Sequence, residues 1–277
     1  MILSFAPSGN AAIGPWLLGA FPGLLAFVAY VAAALRSEQS ERALRILLTA
    51  GWVAHAAAIA VDASGGASGD VAARFGFAPA LSVTLWLVLA VYLVESRFLP
   101  MLGMRRGLAL LGAVAVALSL MFPGALLHPS VSRWAPLHWV LGMSSYALFG
   151  VAVLHAVLLN RADRQMRQRS AAAAAAVGVP LLRLERLTFR LVEAGFAVLT
   201  LALVLGAWFA NPWRWDHKTV FSLLGWAVFA ALLAGRHAFG WRGPRAMRWV
   251  YAGAGLLLLG YAGSRFVLEV VLQRPLA

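Results

Sequence analysis

Long apolar runs alternate with short polar segments along the whole chain, covering about 14–35, 43–62, 77–98, 106–122, 137–160, 188–210, 218–237 and 247–272, each close to the roughly 20 residues a helix needs to cross a bilayer. The runs are continuous. They lack the period-two alternation of a barrel strand and the single apolar stripe of a helix on a soluble core. A backbone crossing lipid must satisfy its own amides, which continuous runs of this length do as helices. The pattern therefore predicts an all-α polytopic integral membrane bundle of about eight transmembrane helices, forming a single domain over residues 1–277.

Composition sharpens this picture. Hydrophobic residues make up 62% of the chain and charged ones only 12%, so the net charge of +13 is read through its placement. Seventeen of the 23 cations fall in 36–45, 97–106, 161–190 and 236–248, which are alternate connections. An excess of Lys and Arg on alternate loops sets those loops in the cytoplasm. Both termini and the 208–226 segment then face outward. Placed this way, the charge predicts contact with membrane lipid and no nucleic-acid partner. Residues 1–10 lack a basic start and a small-residue cleavage site, so the first run is expected to remain as a span. The basic 161–187 connection, with its alanine run 171–176, suits a helix lying on the inner leaflet. The 63–76 connection, rich in Gly, Ser and Ala, reads as a flexible link without chemistry. With no cysteine present, disulfides, thiolate metal sites and a thiol relay within the chain are excluded.

Candidate chemistry concentrates in the outward segment between the sixth and seventh runs. There Trp208, Trp213, Arg214, Trp215, Asp216, His217 and Lys218 lie close together, with Trp226 shortly after. Such Trp residues also serve as an interfacial belt, and both readings stand at this point. His138 opens the fifth run at the same side, His128 precedes it, and His55 lies about 10 Å down the second run. An ionisable group inside the membrane is a functional candidate by default, although a neutral His55 bonded to a neighbouring helix accounts for it equally. His155 and His237 lie near the cytoplasmic ends, where His and Arg snorkel. Glu95 and Glu193 sit near inner ends, able to reach water or pair with Arg97 or Arg190. Arg265 and Glu269, four apart, fit an internal ion pair. Zinc would want a tight cluster of ligands, whereas haem needs one or two axial histidines, a flat apolar slot and cations for its propionates. The residues suit haem: histidines on separate helices for the iron, Trp208, Trp213, Trp215, Trp134 and Trp139 as walls, and Arg133, Arg214 and Lys218 as propionate partners.

Several motifs carry a family resemblance. Trp213-Arg214-Trp215-Asp216-His217-Lys218, followed by Trp226, resembles the Trp-rich outer signature of the CcsA/CcmC-type cytochrome c assembly family. His138, followed by Ser145 and Tyr146, is similar to that family's first outer histidine. Ala54-His55-Ala56, Leu184-Glu185-Arg186, Gly240-Trp241-Arg242-Gly243 and Tyr261 to Arg265 resemble its small stand-alone YpjD-type branch. The resemblance implies a multi-pass protein of a bacterial inner membrane that handles haem b, held non-covalently, at its outer face. His138 would then be an outer axial ligand, residues 213–226, with Trp226, would form the haem platform, and His55 would match the in-membrane histidine as a further iron ligand. Apocytochrome c or other assembly proteins are the implied partners, and the role implied is that of a haem chaperone more than a complete lyase. The chain departs from the family at Thr219, where an acidic residue is expected, and at Leu272, near the place of a second outer histidine; His217 is the available substitute. The runner-up is a HemX-like regulatory or scaffolding protein acting through the basic 161–190 loop. A transporter using His55 and the Arg265/Glu269 pair is disfavoured by the lack of a visible repeat.

Overall fold

The structure is a computed structural model that describes residues 13–36, 40–64, 73–98, 104–127, 133–167, 181–209 and 215–272. The described residues form eight long helices: α1 (Ile13–Leu35), α2 (Glu41–Ala63), α3 (Phe77–Glu95), α4 (Arg105–Met121), α5 (Ala135–Arg167), α6 (Leu181–Phe209), α7 (His217–Phe239) and α8 (Gly243–Leu258). The last continues through two π turns, Leu259–Gly263 and Val267–Val271, on either side of Ser264–Phe266. Two short strands, β1 (Ala73–Phe75) and β2 (Ala125–Leu127), pair antiparallel with Arg74 opposite Leu126. Six helices are long and apolar enough to cross a membrane, among them the whole Gly243–Val271 element. The chain is a multi-pass membrane helical bundle.

The helices match the eight apolar runs in order, and several extend past them at one or both ends. α5 runs on to Arg167 and α6 starts at Leu181, so the basic flanks 161–167 and 181–187 prolong spans instead of forming a separate surface helix. Arg, Gln and Leu are good helix formers, and nothing in these flanks breaks the hydrogen-bond ladder. Residues 168–180 lie outside the described residues. Asp216 accepts the Thr219 amide at 2.8 Å to start α7, and Gly240, at φ 64°, ends it in the left-handed conformation glycine adopts without strain.

Two cores hold the bundle together. In the first, α1 to α4 close around Tyr30, Leu48, Leu89 and Leu108. The Tyr30 ring is gripped between α2 and α4, because a Cβ on Gly51 or Gly112 would lie 2.8 or 3.0 Å from it. Without a driving force from water, small residues at helix contacts give the close packing that lipid cannot supply. The second core joins α5 to α8 through Phe149, Val192, Leu232 and Met247, with Phe149 stacked on Phe229 at 3.8 Å.

The two ends differ in chemistry. At one, β1 and β2 tie the α2–α3 connection to the α4–α5 connection, so part of the link expected to be flexible is strand. The Phe77 amide at the start of α3 donates to Glu269 Oε2 at 3.3 Å, which brings the last π turn to this end. Glu269 is thus occupied by a helix N-terminus and closes no contact pair with Arg265 among the described residues. At the other end Arg105 pairs with Glu41 at 2.9 Å, Arg106 donates to the Arg36 carbonyl and Arg236 reaches Glu185 at 3.6 Å. We call these the β-ribbon end and the arginine-rich end.

Candidate functional site at the β-ribbon end

His138 sits in the first turn of α5, against α6. Its Nδ1 lies 2.9 Å from the Ala202 carbonyl oxygen, which can only accept, so Nδ1 carries a proton. α6 approaches closely enough that a Cβ on Gly206 would lie 2.9 Å from His138 Cε1. The imidazole is therefore fixed in tautomer and in tilt. A backbone carbonyl on one ring nitrogen is the arrangement that orients a histidine whose other nitrogen binds a metal. Lys218, in the first turn of α7, is near enough to act electrostatically on His138. The starts of α5 and α7 and the end of α6 thus meet at one place.

Around it the predicted residues divide. Trp208 at the end of α6 and Trp215 just before α7 are 82% and 72% exposed, presenting flat apolar faces at this end. Arg133 lies over the Trp134 ring at 5.2 Å, and the Lys218 ammonium lies 5.7 Å from the centre of the Tyr261 ring. His217 is exposed as the first residue of α7. Trp226 lies nine residues into α7, about 13 Å below the rim. There it stacks on Phe196 and donates to Thr200 Oγ1 at 2.9 Å, joining α7 to α6. Trp139 turns toward α3, lining a cavity apart from His138. Trp213, Arg214 and His128 lie outside the described residues.

His55 is 1% exposed, between α1 and α3, and has a hydroxyl at each ring nitrogen: Tyr30 Oη at 3.3 Å from Nδ1 and Ser82 Oγ at 2.7 Å from Nε2. Either tautomer engages both ring nitrogens: with the proton on Nε2 the Ser82 hydroxyl hydrogen has no acceptor among the described residues, and with it on Nδ1 the Tyr30 hydroxyl hydrogen has none. Both nitrogens of His55 are engaged. An iron ligand there would first have to displace a hydroxyl.

The two remaining histidines lie toward the arginine-rich end and join no group with His138. His237 is exposed, with Nδ1 at 2.8 Å from the Leu233 carbonyl. His155 does not snorkel: it is 1% exposed, and Nε2 lies 2.9 Å from Glu95 Oε2. Glu95 therefore serves His155 and not Arg97, while Glu193 is exposed. Among the described residues, no three side chains of His, Asp or Glu converge to hold a metal ion. The arrangement at His138 is a single oriented nitrogen beside exposed indoles and cations. That fits an iron porphyrin, whose macrocycle supplies four ligands itself, better than a bare ion. Sequence reasoning missed the Ala202 carbonyl and Gly206, since a backbone acceptor and a close approach leave no motif.

Comparison with known proteins places these residues in context. The family described as Cytochrome C assembly protein matches residues 43–272. The inner membrane protein YpjD of Escherichia coli K12 is 33% identical over 152 residues, 54% of this chain and 54% of that protein. The cytochrome c biogenesis protein CcsA of Synechococcus sp. strain JA-3-3Ab is 36% identical over 101 residues, 32% of this chain and 29% of its own. CcsA of Gloeobacter violaceus is 34% identical over 91 residues, 31% and 27% of the two chains. The match thus spans about half of YpjD and under a third of the CcsA proteins. No solved structure matches the chain.

Proposed function

Because the chain belongs to the cytochrome C assembly protein family, we propose that it binds haem at its β-ribbon end and presents it to other assembly components. His138 would hold the haem iron. The observation that carries this reading is the Ala202 carbonyl 2.9 Å from Nδ1, which sets the tilt of the imidazole at the meeting point of α5, α6 and α7. Haem b, held non-covalently, supplies the iron and the conjugated ring when bound. Everything else asked of this chain is binding and orientation.

Trp208, Trp213 and Trp215 cover the porphyrin faces, where burial of a flat apolar ring is favourable. Arg133, Arg214 and Lys218 neutralise the propionates through charge-assisted hydrogen bonds. His217 is the candidate for the second axial position, and His55, with both nitrogens engaged, stands deeper, toward the mid-membrane. The arginine-rich end faces the cytoplasm of a bacterial inner membrane, as the cation excess on alternate loops requires, so the haem end faces outward. A chain without cysteine has no thiol to join to a haem vinyl group. Those thiols belong to the partner, apocytochrome c or another assembly protein, and this chain acts as chaperone.

The test is the absorption spectrum of the full chain purified from haem-replete membranes. A Soret band is expected, strongly reduced by His138→Ala and unchanged by His155→Ala. Purified protein without a Soret band, or a band indifferent to His138→Ala, overturns the reading.

A further inference from the structure

A cavity of about 380 Å³ opens between α2, α3 and α5 at the β-ribbon end, on the face of α5 opposite the His138 contact with α6. Its walls are apolar, with Ile59, Val83, Leu87 and Val140 among them. Asp62, Arg74, Ser82, Ser119 and Ser144 interrupt them, and the first three follow a definite order of depth. Asp62, next to last in α2, and Arg74, in β1, stand at the rim. Ser82 lies five residues into α3, about 7 Å below its start, and Leu87 about 15 Å below.

Each of these three has capacity to spare. Asp62 is acted on by the charge of Arg74, yet no hydrogen bond or contact ion pair joins the two among the described residues. They stand as separated opposite charges. Ser82 is 3% exposed and lines the cavity. Its oxygen lies 2.7 Å from His55 Nε2, and among the described residues its hydroxyl bonds no helix carbonyl, unlike that of Thr84, which donates to the Ala80 carbonyl at 2.8 Å. With the His55 proton on Nε2, the Ser82 hydroxyl is a buried donor at the cavity wall, which a ligand acceptor would satisfy.

We propose that this cavity is a binding site for a zwitterionic phospholipid with a primary-amine head group, drawn from the leaflet at the β-ribbon end. The phosphodiester meets Arg74, the ammonium meets Asp62, an ester carbonyl accepts from Ser82, and the acyl chain lies along Val83 and Leu87. The order of these groups along the cavity is their order along such a lipid: charges at the rim, ester several ångströms down, hydrocarbon beneath. An anionic lipid satisfies Arg74 and sets a second negative charge against Asp62. A neutral diacylglycerol satisfies Ser82 alone. The site stands apart from His138 and does not depend on haem.

Native mass spectrometry of the detergent-solubilised full chain tests this, with phosphatidylethanolamine, phosphatidylglycerol and diacylglycerol of identical acyl chains added in turn. Phosphatidylethanolamine should be retained about tenfold over phosphatidylglycerol, the ratio set by about 1.4 kcal/mol of charge matching. Asp62→Asn should bring that ratio close to one. Arg74→Gln should lower both phospholipids to the level of diacylglycerol, and Ser82→Ala should weaken all three together. Ser82 also partners His55, so if Ser82→Ala fails to fold, the two rim variants decide the matter. Equal retention of the two phospholipids by the unsubstituted chain, or a preference that survives Asp62→Asn, overturns the proposal.

Discussion

His155 Nε2 lies 2.9 Å from Glu95 Oε2, joining α5 to the last residue of α3, and it does so with the imidazole almost wholly buried. Among the described residues His155 Nδ1 finds no hydrogen-bond partner, so the hydrogen bond to this ring comes from Glu95. Removing Glu95 would leave a buried imidazole without any hydrogen bond. Glu95→Ala should destabilise the protein by about 1–3 kcal/mol, read as a lower unfolding midpoint in detergent. Because the pair lies toward the arginine-rich end, any Soret band of the folded fraction should keep its position.

The close approach of α6 to His138 makes Gly206 a second control on the tilt of this imidazole. A methyl group there would meet Cε1 at 2.9 Å and Nδ1 at 3.2 Å, so the ring must tilt away from the Ala202 carbonyl. Gly206→Ala should reduce haem occupancy by about 10- to 100-fold, the usual loss when a metal ligand's supporting contact is broken. Haem titration of the purified variant measures it. Gly107 is the control position: a methyl group there would meet open space, with nothing within 4 Å, and Ala should leave occupancy unchanged.

Indoles near this end fall into two physical roles that substitution separates. Trp226→Phe keeps a ring against Phe196 and loses the bond to Thr200, so it should cost about 1 kcal/mol of stability with haem affinity intact. Trp208→Ala removes a ring that is 82% exposed and so contributes little to the core. This variant should keep its unfolding midpoint and lose haem affinity. Paired melts and titrations on the same preparations check both halves.

Asp216 supports the start of α7 by accepting the Thr219 amide at 2.8 Å. Asp216→Ala should cost about 1 kcal/mol, whereas Asp216→Ser should restore most of it. His217 and Lys218 ride on that first turn, so hydrogen exchange at 217–220 should quicken in the alanine variant and not in the serine variant.

How much of this was legible in the sequence depends on which force fixed each feature. The eight runs were visible because lipid forces every crossing backbone to satisfy itself, which leaves long uninterrupted apolar stretches. Helix ends were less so: the arginines that close the apolar runs at 161–167 and 181–187 are themselves good helix formers. His138 was legible as a candidate from its place at the head of a span. The carbonyl that orients it was not, because Ala202 announces nothing by its side chain. Glu95 shows the limit most directly. Its neighbour Arg97 is two residues away, a separation at which side chains do not face each other on a helix. The partner it takes stands 60 residues further on. Likewise Glu269 faced Arg265 by spacing, yet its carboxylate went to an amide 192 positions earlier.

That last connection bears on the order in which the protein can be made. The amide of Phe77 emerges from the ribosome long before Glu269 exists, so α3 must enter the membrane with its leading turn provisionally served by water or lipid head groups. Only when the closing helix arrives does that turn gain its lasting acceptor. A chain stopped short of its final π turn would keep the β1–β2 tie at this end and lack only the carboxylate that receives the leading amide of α3.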